Sequence, residues 1–370
     1  MPIIRSLLDT DLHKLVIARA VAEKFPHAWA RYRFFDRDPE HRFTTEQVCR
    51  IRREVSACWN ATATGAEYRW LGERCPGLPR PRLDPAQVSL NLVDGRLDLT
   101  IDGPWSEATL WEVPLLAIIN EVLSDECDLA EVRRKTAQKA AALEHAGCNF
   151  VAFGTRRRHS RAAHEAVVDA LAGSPACIGV SNVALALSSG LPPVGGMAHE
   201  WVQGVSGLVG LRHANRFAMD AWVDVFDGWL GIALTDTFGA EAFWGDFDAR
   251  LARLYDGVRC DSGDPFAFVD RAVKVYESHG IDPRTKTVVF SDGITVERAE
   301  AIHTYCAGCV RDTYSISTYL TNNVDGYVPP NIVIKLVEVD GVQVVKLSDS
   351  PGKVVGDEEA VRVARWTFGM

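Results

Sequence analysis

The sequence predicts an α/β fold whose main part is a closed or nearly closed barrel of parallel strands. From about Asn120 onward, short apolar strands alternate with helical segments, which is typical of a parallel sheet. Near both chain ends, alternating apolar and polar residues surround an Asp-Gly pair, which predicts antiparallel hairpins.

The first third of the chain mixes predicted helices and strands. Residues 11–25 predict an amphipathic helix, and residues 30–37 alternate like a strand. Residues 45–58 predict a second helix that opens on a capping Thr. The prolines of residues 75–85 exclude helix and central strand, so this segment is expected to be a surface connection. Residues 88–103 predict a hairpin that turns at Asp94-Gly95.

The barrel prediction depends on seven apolar segments that each end in a polar or glycine-rich cluster. They are NFVAFGTRRR, ACIGVSN, PPVGGMAHEW, LGIALTDTF, GVRCDSGD, KTVVFSDG and DTYSISTYLTNN. Functional groups should gather at the carboxyl ends of these strands. An open doubly wound sheet is the alternative, although no GxGxxG motif follows a strand. The tail, residues 331–353, predicts a second hairpin that turns at Asp340-Gly341 and rejoins the N-terminal region.

Composition narrows the class of protein. The net charge of −9 argues against a general nucleic-acid surface, and no apolar run approaches the roughly 18 residues that span a bilayer. Asp9 and Asp11 interrupt the N-terminus too early for a signal peptide, so we expect a cytoplasmic protein. The nine cysteines, an odd number, predict reduced thiols rather than a disulfide framework or a zinc site.

Three arginines, Arg156, Arg157 and Arg158, directly follow a buried strand. At least one guanidinium is therefore expected to project into the barrel mouth, where its planar fork suits phosphate or carboxylate oxygens. The alternative is that these arginines pair with acids on neighbouring loops.

Acids stand at further strand ends: Asp236, Asp261 with Asp264, and Asp292. Carboxylates facing arginines can hold Mg²⁺ and sugar hydroxyls together. As an alternative, residues 261–264 before Pro265 have the pattern of an ordinary helix N-cap.

The segment GGMAHEW presents His199 next to Glu200, a carboxylate that could orient it. On this segment alone a structural histidine is the better interpretation. Together with the cations, the acids and the hydroxyls of SISTYLTNN, however, His199 completes a predicted site for a phosphorylated sugar.

The chain resembles the nicotinate phosphoribosyltransferase family along essentially its whole length. The motifs that carry the resemblance, in order, are LLDTDxxKL, LWEVPLLA, FGTRRR, AHEW, GIALTDTF, RxDSGDP, VFSDG and NIVIKLVE…KLSDSPGK. The resemblance is closest to the bacterial and fungal branch. It implies a type II phosphoribosyltransferase fold: an irregular, roughly seven-stranded barrel over residues 121–330 and an α/β domain from residues 1–120 plus 331–370. It also implies a homodimer with active sites at the subunit interface.

The implied reaction joins nicotinate to 5-phosphoribosyl-1-diphosphate, giving nicotinate mononucleotide and diphosphate for NAD salvage. It is coupled to ATP hydrolysis and uses Mg²⁺ bound through the substrate diphosphate. The resemblance implies that His199 is phosphorylated by ATP, that Arg259 binds the nicotinate carboxylate and that Thr318 binds the ribose phosphate. The remaining expected site residues are Glu200 and Asp292 for catalysis and His13, Arg156, Arg157, Gly196, Asp236, Asp261 and Ser262 for substrate binding.

Four positions depart from the family pattern. His13 and Gly196 stand where the family has Tyr and Thr in contact with nicotinate, while Ser317 changes the phosphate loop and Cys260 occupies a position that is often His. A second hypothesis is therefore a phosphoribosyltransferase for another heteroaromatic acid or amide. A third is a catalytically silent paralogue that binds phosphoribosyl diphosphate as a regulator.

Overall fold

Parallel and antiparallel sheets are both present in the computed structural model, which describes residues 2–370 as a mixed α/β fold. The chain divides into two compact units. The first unit contains Met1–Ala141, Val151–Gly195 and Ile316–Lys335; the second unit contains Ala142–Phe150, Gly196–Ser315 and Leu336–Met370. The domain boundaries predicted from the sequence remain a prediction.

The elements of the described chain are as follows. The strands are β1 (Trp29–Asp36), β2 (Val88–Val93), β3 (Arg96–Pro104), β4 (Phe150–Ala152), β5 (Cys177–Val180), β6 (Ile232–Leu234), β7 (Gly257–Cys260), β8 (Thr287–Phe290), β9 (Arg311–Ile316), β10 (Ile332–Val339) and β11 (Val342–Gln343). The α-helices are α1 (Leu12–Lys24), α2 (Thr45–Ala57), α3 (Gly65–Arg74), α4 (Trp105–Ala108), α5 (Glu112–Leu123), α6 (Leu129–His145), α7 (Arg161–Leu171), α8 (Val183–Ser189), α9 (His199–Val209), α10 (Ala214–Phe226), α11 (Ala240–Asp246), α12 (Ala249–Leu254), α13 (Pro265–Ser278), α14 (Val296–Cys306), α15 (Thr318–Thr321) and α16 (Glu358–Phe368).

The first unit contains the antiparallel hairpin β2–β3, with β1 paired to the other edge of β3. The hairpin turns at Asp94-Gly95, where both residues have positive φ, so the sequence prediction is confirmed. Helix α2 begins after Thr44, whose hydroxyl and Gln47 form a capping box. Trp105 is fully buried and donates its indole N–H to the hydroxyl of Tyr32, 3.0 Å away, which satisfies the polar atom of a large core side chain.

The second unit contains four consecutive parallel strands, β6 to β9. The register pairs Leu234 with Arg259 and Arg259 with Val289, so the residues that follow β6, β7 and β8 lie at one edge of the sheet. At Gly257 a Cβ would stand 1.9 Å from the carbonyl oxygen of Thr287. The close approach of β7 to β8 therefore requires glycine at position 257.

Six of the seven predicted barrel segments contain a strand, and the segment PPVGGMAHEW does not. This part of the prediction was wrong. Pro192 and Pro193 lack the N–H that a ladder needs, and only an isolated bridge joins Val180 to Pro193. Closure of the strands into a barrel remains a prediction.

All nine cysteines are free thiols, as expected. They include Cys306 and Cys309, which form a C-x-x-C pair that the sequence prediction overlooked.

The second predicted hairpin is also present, because β10 and β11 pair antiparallel around Asp340-Gly341. Over residues 2–370 we find no helix with the length and hydropathy needed to cross a membrane.

Candidate active site

His199 is the first residue of α9 in the second unit, and its ring is largely buried. The ring nitrogen Nδ1 lies 3.1 Å from the hydroxyl oxygen of Thr237. Nε2 lies 2.9 Å from Oδ2 of Asp261 and 2.8 Å from Nζ of Lys346. The ring is therefore held by side chains from two strand ends and from the C-terminal segment.

Asp236 follows β6 and is 1% exposed. Its Oδ2 atom accepts hydrogen bonds from Ser262 at 2.5 Å and from Ser348 at 3.1 Å. Its Oδ1 atom has no hydrogen-bond partner among the described atoms, and it lies 3.6 Å from Nε2 of His199. A buried carboxylate oxygen in that situation is costly, so Asp236 is suited to accept a hydrogen bond from a ligand.

Asp261 follows β7, and its two oxygen atoms have different partners. Oδ2 faces His199, whereas Oδ1 accepts a hydrogen bond from Ser291 at 2.6 Å and pairs with Nη2 of Arg259 at 3.1 Å. The Nε of Arg259 also donates to the hydroxyl of Ser291, 2.8 Å away. Asp261 and Ser291 thus hold the half-buried guanidinium of Arg259 in one orientation.

The protonation states in this cluster follow from burial and charge. Burial lowers the pKa of His199, the ammonium of Lys346 lowers it further, and the nearby carboxylates only partly oppose this, leaving it at about 4. Burial alone would raise the pKa of Asp261, but Arg259 and His199 outweigh it and hold that pKa well below its ordinary value. At neutral pH the ring of His199 is therefore neutral and one nitrogen carries a lone pair.

Lys346 was not among the predicted site residues. Its Nζ lies 2.8 Å from Nε2 of His199, 3.5 Å from Oδ2 of Asp236 and 4.0 Å from Oδ2 of Asp261. The only feature of the sequence that pointed to Lys346 is its place in the motif KLSDSPGK, one of those shared with the family. Its contact with His199 spans 147 positions, and neither strand periodicity nor local spacing predicts such a contact.

Two other predicted catalytic residues lie in the second unit. Asp292 follows β8 and pairs with Nζ of Lys353 at 2.6 Å; the same ammonium donates to the backbone carbonyl of Asp261, also at 2.6 Å. Glu200 is buried on α9 next to His199. The N-cap alternative is confirmed for Asp264, whose side chain accepts from the N–H of Phe266 at the start of α13.

In the first unit, two of the three consecutive arginines are paired with acids. Arg158 is fully buried and forms a two-point ion pair with Asp9, with distances of 2.7 and 3.1 Å. Arg156 pairs with Glu112 at 2.9 Å, and Lys14 pairs with the same carboxylate. Arg156 and Arg158 therefore pair with acids, as the alternative predicted, and substrate binding by Arg156 remains a prediction.

Arg157 differs from its neighbours. No acid lies within ion-pair distance of its guanidinium in the part of the chain that the structure describes. Burial, together with repulsion by Arg156 and Arg37, lowers the pKa of Arg157 to about 10. A desolvated cation beside two others is unfavourable unless an anion joins it, so Arg157 is the member of the triplet best suited to bind an anionic ligand.

The remaining predicted substrate-binding residues lie on different elements. His13 is buried on α1 in the first unit, and its ring centroid is 5.4 Å from that of Phe153. Thr318 begins the short helix α15. Gly196 belongs to the second unit, and a Cβ added there would meet no atom within 4 Å.

Two family models match the chain. The nicotinate phosphoribosyltransferase (NAPRTase) family matches residues 148–370, and the N-terminal domain of the same family matches residues 8–120. A nicotinate phosphoribosyltransferase from Methanosarcina mazei is 42% identical, with 99% of this chain and 98% of the relative covered. One from Chromohalobacter salexigens is 40% identical, with 97% of each covered.

Solved structures are also similar over the full length of the chain. A nicotinate phosphoribosyltransferase from Porphyromonas gingivalis superposes with a TM-score of 0.95 at 37% identity over the whole of both chains. A putative nicotinate phosphoribosyltransferase from Saccharomyces cerevisiae gives 0.94 at 31% identity, with 100% of this chain and 99% of the other covered. The chain is therefore an enzyme of the nicotinate phosphoribosyltransferase family.

Proposed function

We propose that this enzyme transfers the 5-phosphoribosyl group of 5-phosphoribosyl-1-diphosphate to the ring nitrogen of nicotinate. The products are nicotinate mononucleotide and diphosphate, and the role is NAD salvage. The transfer is coupled to ATP hydrolysis through phosphorylation of His199. Full-length similarity to named nicotinate phosphoribosyltransferases supports the base and the reaction.

The observation that carries the coupling is the environment of His199. A neutral imidazole with a lone pair is a nucleophile, and the pKa of about 4 keeps the ring neutral throughout the physiological range. When the γ-phosphoryl group of ATP moves to the ring, the P–O bond to ADP breaks and a P–N bond forms. The ammonium of Lys346, 2.8 Å from Nε2, supplies positive charge for the incoming phosphoryl oxygens.

Phosphoribosyl transfer itself depends on positioning and electrostatics. The ring nitrogen of nicotinate needs little activation, and the ribosyl C1 passes through an oxocarbenium-like state as diphosphate leaves. Arg259, held by Asp261 and Ser291, offers its fork to the nicotinate carboxylate. Arg157 offers an unpaired cation to phosphate oxygens, and Thr318 offers a hydroxyl to the ribose phosphate.

The expected Mg²⁺ is assigned to the substrate rather than to protein ligands. His199, Asp236 and Asp261 place one ligand atom each within 4.8 Å of one another, so they are the described group nearest to a metal site. Mg²⁺ prefers oxygen ligands in octahedral geometry, whereas this group contains an imidazole and lies next to the ammonium of Lys346. When bound to the diphosphate of the donor, Mg²⁺ takes up part of the charge of the leaving group.

A second candidate function keeps the reaction and changes the base. A Cβ at Gly196 would have no neighbour within 4 Å, and the buried imidazole of His13 offers a smaller stacking surface than tyrosine. Each of these two departures removes contact surface, which favours a larger ring acid. The retained Arg259 still favours a carboxylate over an amide.

We also propose that the enzyme acts as a homodimer with active sites at the subunit interface, as the family resemblance implies. Analytical ultracentrifugation of the purified enzyme tests this. A monomer that retains full activity would contradict it.

The proposed function is tested by incubating the enzyme with labelled phosphoribosyl diphosphate, Mg²⁺ and a panel of pyridine bases, with and without ATP. Nicotinate should give labelled mononucleotide, and ATP should increase its yield. A parallel incubation with γ-³²P-labelled ATP should give an acid-labile adduct that is absent from His199→Ala. Binding of the donor without transfer to any base would instead support a regulatory protein.

A further inference from the structure

The three side chains that could hold a metal ion in the second unit are joined by a lysine. His199, Asp236 and Asp261 each place a ligand atom within 4.8 Å of those of the other two. Nζ of Lys346 lies within 4.0 Å of a ligand atom of all three. We call these four residues the lysine-centred cluster.

Without the ammonium, the remaining groups would suit a transition metal. One imidazole and two carboxylates form a donor set that Mn²⁺, Co²⁺ or Zn²⁺ can use. Oδ1 of Asp236 is buried and has no hydrogen-bond partner among the described atoms, so it could bind an ion that reached it. Oδ1 of Asp261 contacts Arg259 and Ser291. Oδ2 contacts His199, so an ion bound to Oδ2 would have to replace that contact.

We propose that Lys346 is a specificity-determining residue whose ammonium occupies the position of a divalent cation and excludes metal from His199. A metal bound to the imidazole would occupy the lone pair that a phosphoryl acceptor needs. A lysine provides positive charge at the same place and engages that nitrogen only through a hydrogen bond, which is given up more readily than a metal–nitrogen bond. The benefit to phosphorylation of His199 rests on the proposed function, whereas the exclusion of metal by Lys346 does not.

The charges of the cluster support this arrangement. Among the ion pairs of residues 2–370, Lys346 is the only lysine or arginine that pairs with Asp236, whereas Asp261 also pairs with Arg259. Desolvation lowers the pKa of Lys346, and the two carboxylates oppose that shift. Lys346 is buried and its Nζ lies 2.8 Å from Nε2 of His199, so an ion cannot reach that nitrogen without displacing the ammonium.

The experiment is a Co²⁺ titration of the full-length enzyme and of Lys346→Met, followed by visible absorption and by the shift in Tm. Methionine keeps most of the side-chain volume and removes the charge. Lys346→Met should bind one Co²⁺ at least roughly a hundredfold more tightly than the wild type, because a +1 charge about 4 Å from a divalent ion is strongly repulsive. Its spectrum should show the d–d bands of Co²⁺ with nitrogen and oxygen ligands.

Two matched variants provide controls. Lys353→Met removes a nearby lysine of the same segment, one that pairs with Asp292 rather than with the cluster, and it should gain no Co²⁺ site. Adding Asp236→Asn to Lys346→Met removes a ligand atom and should abolish the gained site. If Lys346→Met and the wild type bind Co²⁺ equally, or if neither Lys346→Met nor Lys346→Ala binds it, the proposal is wrong.

A measurement on the wild type keeps the test valid if the variants do not fold. Crystals of the wild-type enzyme soaked in Mn²⁺ should show no anomalous density between His199 and the two carboxylates, and Nζ of Lys346 should remain there. A Mn²⁺ ion at that position would overturn the proposal. Neither measurement uses catalytic activity, so a failed transfer assay would count against the proposed function alone.

Discussion

Arg158 and Asp9 form a fully buried, two-point ion pair across 149 positions of the chain, with N–O distances of 2.7 and 3.1 Å. Arg161 adds a third contact to the same carboxylate at 2.9 Å, and Asn182 adds a fourth at 2.8 Å. Burial would raise the pKa of Asp9, but Arg158, Arg161 and Asn182 together outweigh burial and hold the pKa at about 2. The third arginine of the triplet is therefore structural.

Replacing Arg158 with leucine should reduce the free energy of unfolding by about 3–5 kcal/mol, because Asp9 would lose its two-point partner while remaining buried. Urea unfolding measures this change. Arg134→Leu is the control, since Arg134 forms an exposed i,i+3 pair with Glu131 on α6 and its loss should change the free energy of unfolding far less. Equal losses in the two variants would contradict the structural role of Arg158.

The three arginines show how far sequence reasoning extends. Their position after a buried strand predicts that guanidinium groups reach a strand end, and β4 does precede them. Arg156 pairs with Glu112, which is 44 positions away, and Arg158 pairs with Asp9, which is 149 positions away. Local patterns carry no information about such partners, because the fold as a whole brings them together.

The lysine-centred cluster also depends on contacts that local sequence patterns do not predict. Strand periodicity correctly placed Asp236, Asp261 and Asp292 after β6, β7 and β8, because the pattern of apolar segments is local. It did not identify Lys346, which reaches His199 from the C-terminal segment. The prolines of PPVGGMAHEW were visible in the sequence, and giving them more weight would have excluded a strand there.

Among the arginines, Arg157 should matter most for binding the phosphoribosyl donor. Arg157→Gln removes a cation that has no acid partner among the described residues, so the Kd of phosphoribosyl diphosphate should rise about tenfold to a hundredfold. Isothermal titration calorimetry measures it. The stability of the unliganded variant should be unchanged or higher, because repulsion with Arg156 disappears. A loss of stability without a change in Kd would assign Arg157 a structural role.

The buried ring of His164 should make stability depend on pH. Burial lowers the pKa of His164 from 6.5 to about 3, and Arg158 contributes to the shift; Asp9 partly opposes it. As the pH falls below about 6.5, the unfolded chain binds a proton that the folded chain excludes. Stability due to this group is therefore complete above pH 6.5 and falls by about 1.4 kcal/mol per pH unit below it.

Comparing the wild type with His164→Leu at pH 7 and pH 5 isolates this effect. Between the two pH values the wild type should lose roughly 2 kcal/mol more than the variant in urea unfolding. Asp9 does not contribute over this range, because its pKa of about 2 keeps it ionised. Parallel pH profiles would show that His164 is protonated in the folded protein.

Two adjacent glycines, Gly195 and Gly196, differ in the space around their Cα atoms. A Cβ at Gly195 would lie 2.5 Å from the backbone nitrogen of His13 and 2.9 Å from Leu12, whereas one at Gly196 would meet nothing within 4 Å. Gly195→Ala should therefore displace the segment that carries His13 and cost about 1–3 kcal/mol of stability. Gly196→Ala should leave stability within about 0.5 kcal/mol of the wild type.

Because the space beside Gly196 is open, Gly196→Thr should fold normally and supply the hydroxyl that the family pattern leads us to expect at this position. A hydrogen bond is worth about 1 kcal/mol, so nicotinate should bind several-fold more tightly, and combining it with His13→Tyr should add a stacking surface. Larger ring acids should compete less well against the double variant than against the wild type. Base affinities measured by calorimetry decide the matter: if the double variant loses affinity for nicotinate, the native pocket is shaped for another ring acid, and the second candidate function becomes the better assignment.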